Sequence, residues 1–422
     1  MRRAAAVAHA LAAALLVAST LAAAATPDAA PAPAPRDAVS HGAAPTAPAA
    51  PPAPTVIAGQ PPALELRILT FNAEHLMSDE RFERWRAFCE PRGWHDPDAP
   101  VPFEDARPAE LNFCDALDGT DGRGKRLFKP LRTAADLADK RQQIRQLITS
   151  AKPDFVLLQE VSDASAAAAL LGPEFRVLSS AELWRDHRIS QNVAIGWRES
   201  LPLHVGKVEL VASIAKSGAD GRLTRPGIAV EVELDGGRRL AILNLHLKAG
   251  CRMGRLDEAP SRDPERAERR EAACSVFQAQ VPAIEAWADA RLEAGAGVVI
   301  AGDFNRDLMR ELRDKLPARN DDGDPGRPVD DPRKIVGLLP EISDEEPRAA
   351  WFAIARPGPY PKRAECHRAI DGFLLSRNLQ AWTDTPLTKL RAQPIPFAEP
   401  LSLDRVRPSD HCPHLLELRL TH

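Results

Sequence analysis

Carboxylates, carboxamides and histidines recur in this chain at the ends of short apolar runs. Asn72 and Glu74 close the run in FNAEHL, and Glu160 closes LLQEV. Asn244, His246 and Lys248 alternate in NLHLK, and Asp303 and Asn305 in GDFN. Asp371 opens IDGFLLS, while Asp410 and His411 stand just before the last run, in SDHCPHLLEL. Strand side chains alternate faces with period two. Asn72 and Glu74 are therefore expected to point one way, as are Asp303 with Asn305, and Asn244 with His246 and Lys248. If strands with polar C-terminal tips pair antiparallel with strands bearing polar N-terminal tips, every tip lies on one rim. Carboxylates gathered there repel one another unless a cation sits among them. Oxygen donors with little sulfur suit Mg²⁺, Mn²⁺ or Ca²⁺ rather than structural Zn²⁺. A hard cation, carboxamide donors and histidines together suit chemistry at a phosphoryl group.

Each residue also has an ordinary reading. Asn72 alone is a turn or cap residue, Glu160 a surface glutamate, and His246 a satisfied core histidine. Asp303 before Phe and Asn could form an Asx turn, and His411 could cap a loop. These readings would all have to hold at once, at successive strand tips.

The elements that must position these groups are legible. Strand-like runs are LELRILTF (64–71), DFVLLQ (154–159), NVAIGW (192–197), GIAVEVEL (227–234), RLAILNLHL (239–247), GVVIAGDF (297–304), AIDGFLLS (369–376) and HLLELRL (414–420). Helical spacing appears over 133–151, with Leu137, Ile144 and Leu147 or Ile148 on one face. A second helix is expected from about Pro264 to Leu292, its stripe formed by Phe277, Val281, Ile284 and Ala288. The segment from about Asp79 to Arg132 reads as irregular and polar, and loops are expected at 317–334 and 355–365. Strands with few helices point to stacked sheets covered by helices.

The ends carry no fold. Residues 1–25 read as a signal peptide: Arg2 and Arg3, an uncharged alanine-rich run, then small residues at Ala22–Ala25. Residues 26–62 are an Ala/Pro-rich linker. The domain proper is 63–422. No later run is long and apolar enough to span a membrane. A secreted or periplasmic protein is expected, with no permanent membrane span after cleavage and no evident obligate protein partner. The six cysteines suit an exported chain, and nearest-neighbour pairing would join Cys89 to Cys114, Cys251 to Cys274 and Cys366 to Cys412. Sequence leaves that connectivity open. The formal charge of −4 argues mildly against tight, nonspecific duplex binding.

FNAEHL, LLQEV, NLHLK, GDFN, IDGFLLS and SDHCP occur in the order and spacing of the endonuclease/exonuclease/phosphatase (DNase I-like) superfamily, which the chain resembles from about Leu66 to Leu420. The resemblance implies a four-layer α/β/β/α sandwich with its site at one rim of the two sheets. It implies Glu160 as principal metal ligand, with Asn72, Glu74 and Asp410 as further ligands to Mg²⁺, Mn²⁺ or Ca²⁺. His411 would be general base or phosphate stabiliser, oriented by Asp371. Asp303 and Asn305 would hold the water and phosphate, and His246 would contact phosphate or leaving oxygen. Asp303 is the rival candidate for the water's proton. Asn192 in SQNVAIGWR, Arg225 in LTRPGIAV and Asn244 are further substrate-side positions. Glu74 departs from the family pattern, in which many nucleases carry Asn or Asp. The implied activity is phosphoester hydrolysis. Nucleic acid is the leading substrate, and a lipid or small-molecule phosphodiester or phosphate is the alternative. The acidic balance slightly favours the alternative, but no exposed apolar hairpin suggests membrane docking.

Overall fold

The computed structural model describes residues 63–94, 107–120, 125–218, 221–258, 262–316, 335–343, 352–358, 366, 369–398 and 400–421. The expected signal peptide, linker and 317–334 loop lie outside these residues, as does most of the expected 355–365 loop.

Two mixed sheets form the centre. The first contains β1 (Leu64–Leu76), β2 (Phe155–Val161), β3 (Phe175–Ser179), β4 (Asn192–Arg198), β10 (Arg356–Pro357), β12 (Arg391–Pro394) and β13 (His414–Leu420), ordered β10-β12-β13-β1-β2-β4-β3. The second contains β5 (His204–Val211), β6 (Gly227–Glu233), β7 (Arg239–His246), β8 (Gly297–Asp303), β9 (Phe352–Ile354) and β11 (Asp371–Ser376), ordered β5-β6-β7-β8-β11-β9. Every strand read from the sequence is present. The others lie at sheet edges or next to them, where shorter runs and weaker alternation leave little pattern.

Alternation builds the layers. Leu66, Ile68, Phe155, Leu157 and Ile195 face inward and meet Ile228, Val230, Ile242, Val299 and Phe373 from the other sheet. Their neighbours Leu69, Phe71, Val156 and Leu158 face α2 (Ala134–Ala151) and α3 (Ala164–Leu171). On the far side, Leu243, Leu245, Val298 and Ile300 pack on Phe277, Val281 and Ile284 of α5 (Pro264–Glu293). The result is the expected α/β/β/α sandwich, and its apolar contacts are the main favourable term in its stability.

Both expected helices form. Thr133 caps α2 through a capping box with Asp136, and Asp263 caps α5 ahead of Pro264 at its first turn. One expectation fails: the segment after Asp79 is not irregular throughout. Residues Asp79–Cys89 form α1, capped by Ser78, with Phe82, Trp85 and Cys89 buried. That spacing of three and four is helical, but charged residues surround it and lower the mean apolarity. The remaining short helices are α4 (Ser180–Leu183), α6 (Leu308–Asp314) and α7 (Leu338–Glu341).

Three disulfides form, between Cys89 and Cys114, Cys251 and Cys274, and Cys366 and Cys412. They match the nearest-neighbour pairing. Among the described residues no helix is long and apolar enough to cross a membrane.

Candidate active site

Strand register assembles half of the site. β7 runs parallel to β8 and puts His246 opposite Asp303. β11 runs antiparallel to β8 and puts Asp371 opposite the same Asp303. A residue beginning one strand thus meets residues ending two others. Gly302 permits the close approach: its φ is +141°, and a Cβ there would lie 2.0 Å from the Leu245 carbonyl oxygen.

The first sheet adds the other half, where alternation breaks down. Glu160 follows the helix-facing Leu158, so strict period two would turn it away from the sandwich centre. Its φ is +57°, and the β2–β4 register shifts at this point. This bulge swings its carboxylate to Asn72, whose amide donates to Glu160 Oε1 at 3.1 Å and Asp303 Oδ2 at 3.0 Å. Glu74 and His75 also have positive φ, at 44° and 56°. Asn72 and Glu74 consequently part. The Glu74 carboxylate takes a bidentate pair from Arg407, with Lys140 Nζ 3.8 Å away.

The groups meet around Asp303. Its Oδ1 accepts the Asn305 backbone N–H at 2.7 Å, the anticipated Asx turn. Its Oδ2 faces the site, 3.3 Å from His246 Nε2 and 3.8 Å from His411 Nε2. The turn and the site use different oxygens of one side chain. His411 Nδ1 lies 2.7 Å from Asp371 Oδ2, and its Nε2 lies 3.7 Å from Asp410 Oδ1. Glu160 is 3.8 Å from His246 Nε2 and 3.4 Å from His75 Nδ1. Arg225 is half-buried: its guanidinium donates to the Leu247 carbonyl at 2.7 Å, and its buried Nε has no hydrogen-bond partner. Asn305 donates to the same carbonyl at 3.0 Å.

Two predicted residues are turned inward. Asn244 Oδ1 accepts from Gln159 at 2.7 Å, and its amide donates to the Leu158 and Ala194 carbonyls. It fastens one sheet to the other. Asn192 accepts from Ser180 Oγ and donates to the Ser162 and Ile189 carbonyls, holding the loop before β4.

Burial and charge set the titration. Burial raises the Asp303 carboxyl to about 7, assisted by Asp371 and opposed by His411 and the Asn72 hydrogen bond. Burial alone would lower His411, but Asp371, Asp303 and Asp410 outweigh it and hold the imidazole well above its usual value. Burial, then Arg225 and the other histidines, push His246 well below its usual value.

The donor set fits a hard cation. Glu160, Asp303, Asp371 and Asp410 supply oxygen donors, and Asp371 Oδ1 is buried without a hydrogen-bond partner. Ligand atoms of Asp303, Asp371 and His411 lie within 4.8 Å of one another. That trio shares no member with the ligand set the sequence suggests, Glu160, Asn72, Glu74 and Asp410, and two of its members are already joined by the His411–Asp371 hydrogen bond.

Several contributors were not singled out from the sequence. Lys140 is fully buried and donates to the Pro408 carbonyl at 2.6 Å and the Arg407 carbonyl at 3.3 Å. A charged residue among Leu137, Ile144 and Leu147 on a helix's buried stripe is a readable signal. Ser409 donates to the Asn72 carbonyl at 2.7 Å and accepts from the His411 N–H at 3.0 Å, clipping the last loop onto β1. Gln280 of α5 accepts the Lys248 N–H at 2.9 Å. Nothing local marks Ser409 or Gln280.

Residues 69–411 match the sequence pattern of the Endonuclease/Exonuclease/phosphatase family. The chain belongs to that family. It is a phosphoesterase of the endonuclease/exonuclease/phosphatase type. No curated protein matches it by sequence. Among solved structures, an endonuclease/exonuclease/phosphatase family protein from Bacteroides thetaiotaomicron is similar at 13% identity and TM-score 0.42, covering 85% of this chain and 99% of that one. The human Nocturnin catalytic domain with bound sulfate is similar at 11% identity and TM-score 0.39, covering 85% and 95%. Truncated Caenorhabditis elegans TDP2 is similar at 14% and 0.39, covering 84% and 98%. The sequence match carries the assignment.

Proposed function

We propose that this endonuclease/exonuclease/phosphatase member is an exported, divalent-metal-dependent phosphodiesterase acting on nucleic acid. In this reading residues 1–25 are cleaved, 26–62 tether, and 63–422 form the catalytic domain. The three disulfides support an oxidising destination, secreted or periplasmic. The observation that carries the chemistry is the His411–Asp371 hydrogen bond of 2.7 Å facing Asp303 and His246 across a buried rim.

Glu160, Asn72 and Asp410 would hold Mg²⁺ or Mn²⁺, while the carboxylate of Glu74, the fourth ligand candidate, is engaged by Arg407 and Lys140 instead. A cation held there would supply positive charge to the phosphate and to the oxygen that leaves as the P–O bond breaks. Asp303 Oδ2 orients the attacking water and takes its proton. Asp371 orients the His411 ring and stabilises its protonated form, so Nε2–H presents positive charge to the phosphate oxygens. His246, kept neutral by burial, donates a hydrogen bond from Nε2, and Asn305 and Arg225 hold the phosphate. Preorganised donors of this kind carry much of such a rate enhancement.

The test uses bis-p-nitrophenyl phosphate beside DNA and RNA zymograms. His411→Ala is expected to lower turnover roughly 10²–10³-fold, as removal of one preorganised donor does, and Glu160→Ala to abolish it, with circular dichroism and thermal transition preserved. EDTA is expected to inactivate the enzyme, and Mg²⁺ or Mn²⁺ to restore it. Wild-type turnover by His411→Ala, or chelator-resistant turnover, would refute this mechanism.

A further inference from the structure

The chain as a whole is acidic, at −4, yet one groove beside the site is not. It has a volume of about 710 Å³, and the described residues lining it include Arg107, Arg188, Arg222, Arg225 and Lys248, with Asp186 the one acidic residue among them. Separate loops supply these cations. Arg107 lies between α1 and α2, Arg188 between α4 and β4, Arg222 and Arg225 between β5 and β6, and Lys248 just beyond β7. Their convergence is therefore a tertiary event. A cleft lined by one sign of charge concentrates the opposite charge within it, whatever the net charge of the molecule.

The groove opens from the reacting centre. Arg225 belongs to both: it lines the groove, and its guanidinium donates to the Leu247 carbonyl that Asn305 of the site also holds. Lys248 follows the β7 tip that carries His246. At the other end His187, Arg188 and Ile189 also line a neighbouring cleft with Arg81, Arg84 and Arg185. There Glu110 takes up part of the charge, reaching Arg84 at 2.6 Å and Arg188 at 3.5 Å.

Phe113 organises the middle. It is 37% exposed, and the guanidinium carbons of Arg107 and Arg222 lie 4.1 Å and 5.3 Å from its ring centroid. Arg107 also donates to the Leu111 carbonyl; a guanidinium stacked on an aromatic face retains its charge and has five N–H donors in all, more than one carbonyl takes up. Arginine, lysine and an aromatic along a groove form the platform that single-stranded nucleic acid uses, with backbone on the cations and bases against flat side chains.

We infer that this groove holds the strand flanking the scissile phosphate, making the substrate a single-stranded nucleic acid several nucleotides long rather than an isolated phosphoester. This deepens the proposed function and rests on it. A small headgroup ester would engage Arg225 and Lys248, whereas Arg107, Arg188 and Arg222 carry the positive lining further along the groove, where a longer polyanion reaches.

The test compares the full wild-type chain with Arg188→Glu/Arg222→Glu, and with the milder Arg188→Gln/Arg222→Gln. A fluorescein-labelled 12-nucleotide single strand and bis-p-nitrophenyl phosphate serve as substrates with Mg²⁺. The oligonucleotide-to-diester ratio of kcat/KM is expected to fall at least 10-fold in the Glu pair and less in the Gln pair. The slope of log kcat/KM against log salt on the strand should flatten by about 0.7 for each phosphate that the variant no longer neutralises. Anisotropy of the labelled strand in EDTA should show weaker binding by both variants. An unchanged ratio, or an equal fall on both substrates, would overturn the inference. So would a wild type that hydrolyses the diester and sphingomyelin vesicles but not the strand, which would leave the phosphodiesterase reading standing. A wild type that binds the strand through Arg188 and Arg222 but hydrolyses nothing would uphold the groove and sink the proposed function.

Discussion

Lys140 shows how much one buried side chain can organise. Burial pulls its pKa down to about 8, although Glu74 opposes the shift. Its ammonium bonds two consecutive carbonyls, of Arg407 and Pro408, just ahead of Asp410 and His411. Removing it strands those carbonyls and leaves Glu74 with Arg407 alone. Lys140→Met is expected to cost about 1–3 kcal/mol of stability, the usual penalty for a buried group left unsatisfied. Urea unfolding in EDTA measures that cost. Steady-state kinetics should show kcat falling more than KM rises, because the displaced loop carries the groups facing the phosphorus. Unchanged stability with unchanged kcat would show that Glu74 and the loop hold themselves.

At the scale of elements, α2 begins at a charged knot. Asp136 accepts from Thr133 Oγ1 at 2.8 Å and from the backbone N–H groups of Thr133 and Arg132, and Lys129 Nζ lies 2.6 Å away. Burial alone would raise its pKa, but the bonds from Lys129, Thr133 and the backbone outweigh it and hold the carboxyl below its usual value. The sign follows from linkage: a depressed carboxyl contributes stability above its unfolded pKa, near 4, and loses it as pH falls through the lower folded value. Asp136→Ala should cost about 1–2 kcal/mol at pH 7. The gap between wild type and variant should narrow as pH falls from the unfolded value toward and through the lower folded one. Thermal melts across pH 2–7 test this, and a gap that widened on acidification would contradict the capping role. Since Lys140 rides on this helix, the cap also steadies the site from a distance.

Across the whole molecule, the covalent links have unequal consequences. Cys412 directly follows His411 and is tied to Cys366 across 46 residues. The other two bridges sit among hydrophobic packing, Cys89–Cys114 in the cluster around Trp85 and Cys251–Cys274 tying α5 to the loop after β7. Breaking a bridge typically costs about 2–4 kcal/mol by freeing the unfolded chain. Cys366→Ala/Cys412→Ala is expected to lose activity at a temperature where the protein remains folded. Cys89→Ala/Cys114→Ala should lose stability first and activity only with it. Parallel activity and circular dichroism measurements through the melt distinguish the two, and activity tracking folding in both variants would show no local role for Cys412. Charge is also distributed unevenly, so a mildly acidic chain presents a basic groove beside its site.

Sequence alone determined the sandwich, its two long helices and the residues at its strand tips. Those features are encoded by short-range spacing: period two in the strands, three to four in the helices, and motifs a few residues long. Tertiary structure decided which of the polar residues act together. Glu160 reaches the centre only because a left-handed residue interrupts alternation, and Glu74 leaves Asn72 for the same reason. Asn244 and Asn192 look no different in sequence from Asn72, yet packing consumes their amides between layers. Arg107, Arg188 and Arg222 sit on separate loops, and only the fold brings them to one groove. Local propensity specifies elements. Bulges, buried ion pairs and converging loops depend on partners far along the chain, which no short window contains.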